Sequence, residues 1–431
     1  MIAEHSQTEM PEIPKAEILC VGTELLLGEI TNTNAQYLAQ QLAHLGIPHY
    51  VQTVVGDNIR RIHELLATII PRCQLLLVTG GLGPTPDDLT HEALARYFET
   101  PLVEYPDLWD DICRKYQQRG ITASPSNRKQ ALLPQGSQVL TNRSGSAAGI
   151  IWSPRPGFTV MTFPGVPSEM QQMWQDVAVP YIYQQGWVQT ILVSQVLRHW
   201  GIPESLLAER IGTLFESANP TVAPYAGQGE VRIRVTARAP NREAAQTLLQ
   251  PMVAQIQAIG GEDYFGSDED TLASVVGSLL RQRGHTLAVA ESCTGGLLGQ
   301  LITGIPGSSS YFLGGVLAYD NQVKVKVLGV SPEILDSCGA VSEETAIAMA
   351  EGVKNLLGSD WGLSITGIAG PGGGSPEKPV GLVWIGLASP QGVWAAKHRF
   401  NGQRGRESVR YFSAQTALDW LRRTLIRQER S

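Results

Sequence analysis

Four apolar runs of this chain each break directly into a Gly-bearing turn. Residues 17–21 run into Gly22, and 75–79 into Gly80-Gly81-Leu82-Gly83. Residues 158–163 run into Pro164-Gly165, and 286–290 into Glu291-Ser292-Cys293-Thr294-Gly295-Gly296. Continuous apolar runs this short read as strands buried on both faces. Between the first of them lie helical stretches, an amphipathic one at 34–45 ended by Gly46, one that follows Asp57 and runs through Ile70, and one at 88–98, with a further strand at 50–55. The β-α-β-α order predicts a mostly parallel sheet with helices on both faces. Ligands of such sheets collect at the carboxyl ends of strands, where these glycines fall.

At 431 residues the chain has room for two or three domains. Its net charge of -7 argues against a general binder of nucleic acid or of anionic membrane surfaces. No apolar run is long enough to cross a membrane as a helix. Residues 1–15 are polar, lack a signal-peptide core and read as a disordered tail. The five cysteines are scattered without a C-x-x-C pair, which points to a reducing cytoplasm and no structural zinc.

Texture divides the rest. Residues 16–180 form the first α/β domain. Residues 187–260 read as a small α+β module, with a helix at 204–211, a half-exposed strand at 230–237 whose Val231, Ile233 and Val235 alternate with Arg232, Arg234 and Thr236, and a helix at 243–259. The acidic stretch 261–270 reads as a linker, and 271–427 as a last α/β domain opening on a helix that Gly284 ends.

Three segments of the first domain form a candidate site: Gly22 to Glu29, Gly80 to Asp88 with Gly80, Gly81 and Gly83, and Phe163 to Pro167. Glycines let backbone approach a ligand and form an anion nest. Asp57, Asp87 and Asp88 are placed to hold a divalent ion against phosphate oxygens. The plain reading of any one segment is a tight turn with an Asp cap. The trio resembles the molybdopterin-binding fold of the MoaB/MogA type, whose two functional aspartates match Asp57 and Asp88. That family has Gly-Gly-Thr-Gly followed by Arg-Asp where this chain has Leu82 and Asp87-Asp88. The more acidic form favours a metal-assisted diphosphate site using Mg, Mn or Co.

The last domain carries a second candidate site. Its clusters are Glu291 to Gly296, the Gly/Ser turn 304–309, Tyr319-Asp320-Asn321-Gln322-Val323-Lys324, Ser364 to Gly374, and the basic turn Arg404-Gly405-Arg406. Its histidines, His285 and His398, sit beside no Gly turn, so a Ser–His–Asp triad is not expected. Serine needs a base to become a nucleophile, and a desolvated Lys324 can serve. Ser292 is either that nucleophile or a helix N-cap. Cys293 is either a rival nucleophile or a buried small side chain. Backbone N–H groups at Thr294, Gly295 and Gly296, or at Thr366 and Gly367, are candidate holders of substrate and oxyanion.

Together these clusters, with Gly339-Ala340-Val341-Ser342, resemble the CinA (competence/damage-inducible) family over about 410 residues. The resemblance implies a C-terminal nicotinamide mononucleotide deamidase that needs no cofactor, with Ser292 as nucleophile, Lys324 as its basic partner and Tyr319 in the pocket. The family's Gly-Asp-Arg aligns in two ways, so Arg404 and Arg406 compete as phosphate ligand. It also implies a KH-like middle module acting as a spacer, a cytoplasmic homodimer, and an N-terminal domain related to metal-dependent ADP-ribose pyrophosphatases. A second reading is a molybdopterin-type or competence-related binding protein with vestigial catalysis.

Overall fold

The computed structural model describes residues 13–227 and 229–429, which fall into two compact units, 13–193 with 237–248, and 194–236 with 249–429. Most of the expected tail lies outside the described residues. Its last residues do not: the Lys15 N–H donates to Gln74, and the Lys15 carbonyl accepts from Gln74 and Leu75.

The first unit is built on β1 (Ala16–Val21), β2 (His49–Val55), β3 (Leu75–Thr79), a separate ladder of β4 (Leu102–Glu104) with β5 (Leu132–Pro134), then β6 (Gln138–Leu140), β7 (Gly149–Arg155) and β8 (Phe158–Phe163). Its six-stranded sheet has the order β2-β1-β3-β8-β7-β6, parallel through β8 and antiparallel beyond. Every residue of β1, β3 and β8 is buried, because helices cover both faces. Strand side chains alternate between the faces. Leu19, Val21, Leu76 and Val78 pack with Ile62, Leu66 and Leu94, while Ile18, Cys20, Leu75 and Leu77 pack with Leu38, Leu42 and Met170. The helix expected after Asp57 begins at Ile59, because Asn58 accepts the Arg61 N–H as its cap. The helix expected from Asp88 begins at Thr90. Both aspartates are thereby left in loops.

The middle strands are β9 (Ile191–Trp200), β10 (Thr221–Gly227), β11 (Glu230–Ala239) and β12 (Tyr264–Ser267), in the order β10-β11-β9-β12. The helix Glu204–Ile211 occurs as expected. The stretch 261–270, expected as a linker, instead contributes β12, antiparallel to β9 with Tyr264 opposite His199. Two of its acidic residues are ion-pair partners rather than parts of a solvated spacer. Asp263 meets Arg423 at 3.0 Å, and Glu262 meets Arg427 at 2.6 Å.

The C-terminal sheet has the order β14-β13-β15-β16-β17, from β13 (Leu287–Glu291), β14 (Phe312–Leu317), β15 (Trp361–Gly367), β16 (Leu382–Ser389) and β17 (Gly392–Arg399). β14, β13 and β15 are parallel, and β16 and β17 are antiparallel additions. Leu287 and Val289 face the core with Val276, Leu280, Leu418 and Leu421. Ala288 and Ala290 face the other side with Met349 and Val353. The carboxyl ends of β13, β14 and β15 therefore open at one edge.

The last helix, Arg406–Glu429, carries a buried ionic cluster. Asp419 accepts from Arg422 (2.9 and 2.6 Å) and from Arg423 (2.7 Å), with Arg422 1% exposed. Removing one partner of a buried pair leaves an uncompensated charge and costs about 3–5 kcal/mol. Asp419→Ala is therefore expected to lower the urea midpoint strongly. Breaking the exposed Arg60–Glu64 pair (3.7 Å) with Arg60→Ala should leave it where it is.

Candidate functional site

Ser292 follows β13 at its carboxyl end. Its N–H donates to Ile365 of β15 (2.9 Å), which ties the turn to the neighbouring strand. Lys324 comes from the helix Asn321–Lys326, entered through the Asp320 cap. Its Nζ lies 3.3 Å from Ser292 Oγ, 2.8 Å from the Ala318 carbonyl and 3.2 Å from the Tyr319 carbonyl. Lys324 is 1% exposed, and burial lowers its pKa below the ordinary lysine value against the opposing pull of Asp320. A lysine so placed can become neutral while its N–H groups stay bonded to the two carbonyls, leaving its lone pair for the serine proton.

Ser292 is not an N-cap. The helix Leu297–Thr303 begins after Gly296, whose φ of 96° needs glycine. The helix N-terminus is instead occupied by Glu291, 1% exposed, which accepts from the N–H groups of Gly296 (3.0 Å), Leu298 (3.0 Å) and Gly299 (2.8 Å). Gly295 N–H donates to Ser292 O at 3.1 Å. This corrects the expectation that Gly295 and Gly296 offer free N–H groups to a substrate or oxyanion. Thr294 is fully buried and its hydroxyl has no partner, while its carbonyl accepts from Arg410 (3.1 and 2.7 Å). The Thr366 hydroxyl is engaged by Ala340 O at 2.6 Å, and Gly367 pairs with Val383 in the ladder, so both support the edge rather than face it openly. Cys293 is 5% exposed and burial pushes its thiol up to about 12, which removes it as a nucleophile.

Tyr319 is exposed at the end of β14, and its hydroxyl accepts from Arg406 at 3.1 Å. Arg406 also donates to Gly370 O (2.9 Å), beyond the end of β15. Arg404 instead lines a groove of about 710 Å³ with Leu297, Glu407, Ser408 and Phe412. Of the two arginines, Arg406 is the one beside Tyr319. The turn 304–309 precedes β14 and lies at the amino end of the sheet, away from the edge bearing Ser292. Sequence reasoning gave no role to Glu291 or Arg410. The four-residue spacing of Arg406 and Arg410 on one helix face was the available signal.

In the first unit, all three glycine segments and Asp57, Asp87 and Asp88 line one cleft of about 540 Å³. A cavity of about 590 Å³ by Arg155 and Trp187 lies at the other end of the strands. Asp57 Oδ2 accepts from Thr23 N and Oγ1 (both 2.9 Å), and Asp88 Oδ2 accepts from Thr85 N (2.8 Å) and its hydroxyl. Asp87 is exposed, and the Thr85 hydroxyl holds its carboxyl below the usual range. Among the described residues no group of three or more His, Cys, Asp or Glu is gathered to hold a metal. The three aspartates therefore share the cleft without forming a ready-made cage. Magnesium-type ions need only one or two carboxylates when phosphate oxygens and water supply the rest, and the donors present fit an ion of that kind. Gly80 (φ 99°) cannot be replaced without strain, because an added Cβ would stand 2.0 Å from the Val21 carbonyl.

An α/β protein with one site at the edge of each main sheet is thus the class that the fold defines. Family models match in chain order: "Probable molybdopterin binding domain" over residues 17–184, "Damage-inducible protein CinA KH domain" over 194–266 and "CinA C-terminal domain" over 269–425. A "CinA-like protein" of Cyanothece sp. is 61% identical over 411 residues, covering 95% of this chain and 98% of its own. One of Synechocystis sp. is 60% identical over 413 residues, covering 95% and 99%. The chain belongs to the CinA-like protein family. A solved competence/damage inducible protein of Agrobacterium tumefaciens is 40% identical, covering 35% of this chain and 91% of its own with a TM-score of 0.34. Among the described residues no helix is long and apolar enough to cross a membrane.

Two outcomes follow from this geometry. Iodoacetamide at pH 8 should leave Cys293 of the folded protein unmodified, read by peptide mass mapping; rapid labelling would contradict its burial. Gly80→Ala should destabilise the first unit by more than about 1 kcal/mol. Gly28→Ala, whose φ of 72° is positive but whose added Cβ meets nothing within 4 Å, should cost less.

Proposed function

We propose that the C-terminal site hydrolyses the carboxamide of nicotinamide mononucleotide to nicotinate mononucleotide and ammonia. The observation that carries this reading is the buried Lys324 with its Nζ 3.3 Å from Ser292 Oγ. Neutral Lys324 takes the serine proton as the Ser292 oxygen bonds to the carboxamide carbon. The same proton passes to the departing nitrogen, which leaves as ammonia. Water then attacks the acyl-serine, gives its proton to Lys324, and releases the carboxylate as the proton returns to Ser292. Arg406, positioned beside Tyr319 and Gly370, offers the substrate phosphate a guanidinium.

Ammonia release should vanish in Ser292→Ala and in Lys324→Arg, whose guanidinium stays charged. Near-full activity in either would sink the dyad. Arg406→Ala should raise KM well above the effect of Arg404→Ala. Because the working Lys324 is neutral, kcat/KM should rise with pH as its proton leaves. The limb should lie below the ordinary lysine value of about 10.4, since burial lowers this pKa.

For the N-terminal cleft, the proposed activity is metal-assisted hydrolysis of the diphosphate of ADP-ribose. Glu24, Asp57, Asp87, Asp88 and Glu169 line it against a single guanidinium, Arg119. That balance repels a bare diphosphate, so a divalent ion would have to arrive with the substrate, held by Asp57, Asp87 or Asp88. Such an ion would neutralise the charge developing on the phosphate oxygens. Chelation should stop ADP-ribose hydrolysis and spare ammonia release; equal loss of both would overturn the two-site reading. Tight nucleotide binding with no turnover at either site would instead mark a binding protein. The reading carries with it a cytoplasmic enzyme, working as a homodimer.

A further inference from the structure

We propose that Glu291 and Arg410 are positioning residues for Ser292, and that the Glu291 carboxylate fills the anion nest of the turn so that the substrate phosphate binds elsewhere. The proposal rests on the deamidase reading of Ser292. A carboxylate buried to 1% exposure is costly unless it is fully bonded. Among the described residues Glu291 forms no ion pair; its partners are the three N–H groups of Gly296, Leu298 and Gly299. Those are the donors that a glycine turn entering a helix would ordinarily present to a phosphate or an oxyanion. With a carboxylate already there, a second anion would meet like charge and find those three donors taken. The phosphate is therefore left to Arg406.

The carbonyl side of the same turn is held by Arg410. Its Nε and Nη2 both donate to Thr294 O, at 3.1 and 2.7 Å, and Leu297 N–H donates there too at 3.2 Å. With its N–H fixed on Ile365 O and its carbonyl on Gly295 N–H, Ser292 is bonded through both of its backbone groups. That leaves Ser292 with its Oγ, which faces Lys324. Glu291 thus keeps the turn from reorienting its N–H groups, and Arg410 keeps Thr294 from rotating its carbonyl away. Neither residue touches the reacting atoms.

The test measures ammonia release from nicotinamide mononucleotide by Glu291→Gln and Arg410→Lys, with amide hydrogen exchange over residues 292–299. Glutamine keeps the size but turns one acceptor into a donor facing an N–H. Misplacement of a catalytic group by about 1 Å costs about 100-fold. Glu291→Gln is therefore expected to lose about that much in kcat with KM nearly unchanged, and the exchange of Gly296, Leu298 and Gly299 should accelerate. Arg410→Lys should lose less, in kcat again, and stands in should Glu291→Gln fail to fold. A rise in KM at constant kcat would overturn the proposal by making Glu291 a binding residue, as would wild-type kcat in both variants. If the wild type itself releases no ammonia, the deamidase reading fails. The clamp is then judged by exchange alone, and unchanged protection in Glu291→Gln overturns it.

Discussion

A lysine side chain with 1% exposure sets the terms for the C-terminal half of this protein. Burying an ammonium is unfavourable unless acceptors surround it, and the acceptors here are the carbonyls of Ala318 and Tyr319 and the Ser292 hydroxyl. All three sit where they do because β14 and β13 are adjacent parallel strands ending at the same edge. A parallel pair places consecutive strand ends together, so residues 32 apart in the chain meet. The neighbouring β15 adds Ile365, which anchors the Ser292 N–H, and leads to Gly370, which receives Arg406. The antiparallel β16 and β17 contribute no side chain to these contacts; they cover the flank of the sheet.

The first unit uses the same principle with a different charge balance. β1, β3 and β8 end together, and their three glycine segments close on one cleft. There the converging side chains are carboxylates, and two of them are partly committed to hydroxyl and N–H groups of Thr23 and Thr85. One edge thus presents a buried lysine against a serine, and the other an acidic cleft. This difference of chemistry, on sheets of related build, sets the two proposed sites apart.

Much of this was legible along the chain. The largely apolar runs at β1, β3 and β8 declared strands covered on both faces, and the alternation of Val231, Ile233 and Val235 with arginines declared a strand exposed on one. The misreadings have a common cause. Acidic composition made 261–270 look like a solvated linker, because the arginines that pair with it lie some 160 residues later. Asp57 looked simply like a further carboxylate on the sheet edge because its partner, Thr23, is 34 residues earlier. Gly295 and Gly296 looked like open donors because the sequence does not show where the Glu291 side chain turns.

By itself, then, the sequence determined the two α/β sheets and their glycine turns at the strand ends, and it singled out Ser292 and Lys324 as a candidate pair. These follow from local apolar periodicity and from the poverty of other bases in the last domain. Only the tertiary structure put Arg406 rather than Arg404 beside Tyr319, buried Cys293 and gave Glu291 the helix N-terminus. Each of those depends on which side chains meet across the strand edge and how much water they exclude. Burial and orientation of that kind are properties of the packed chain, not of any segment of it.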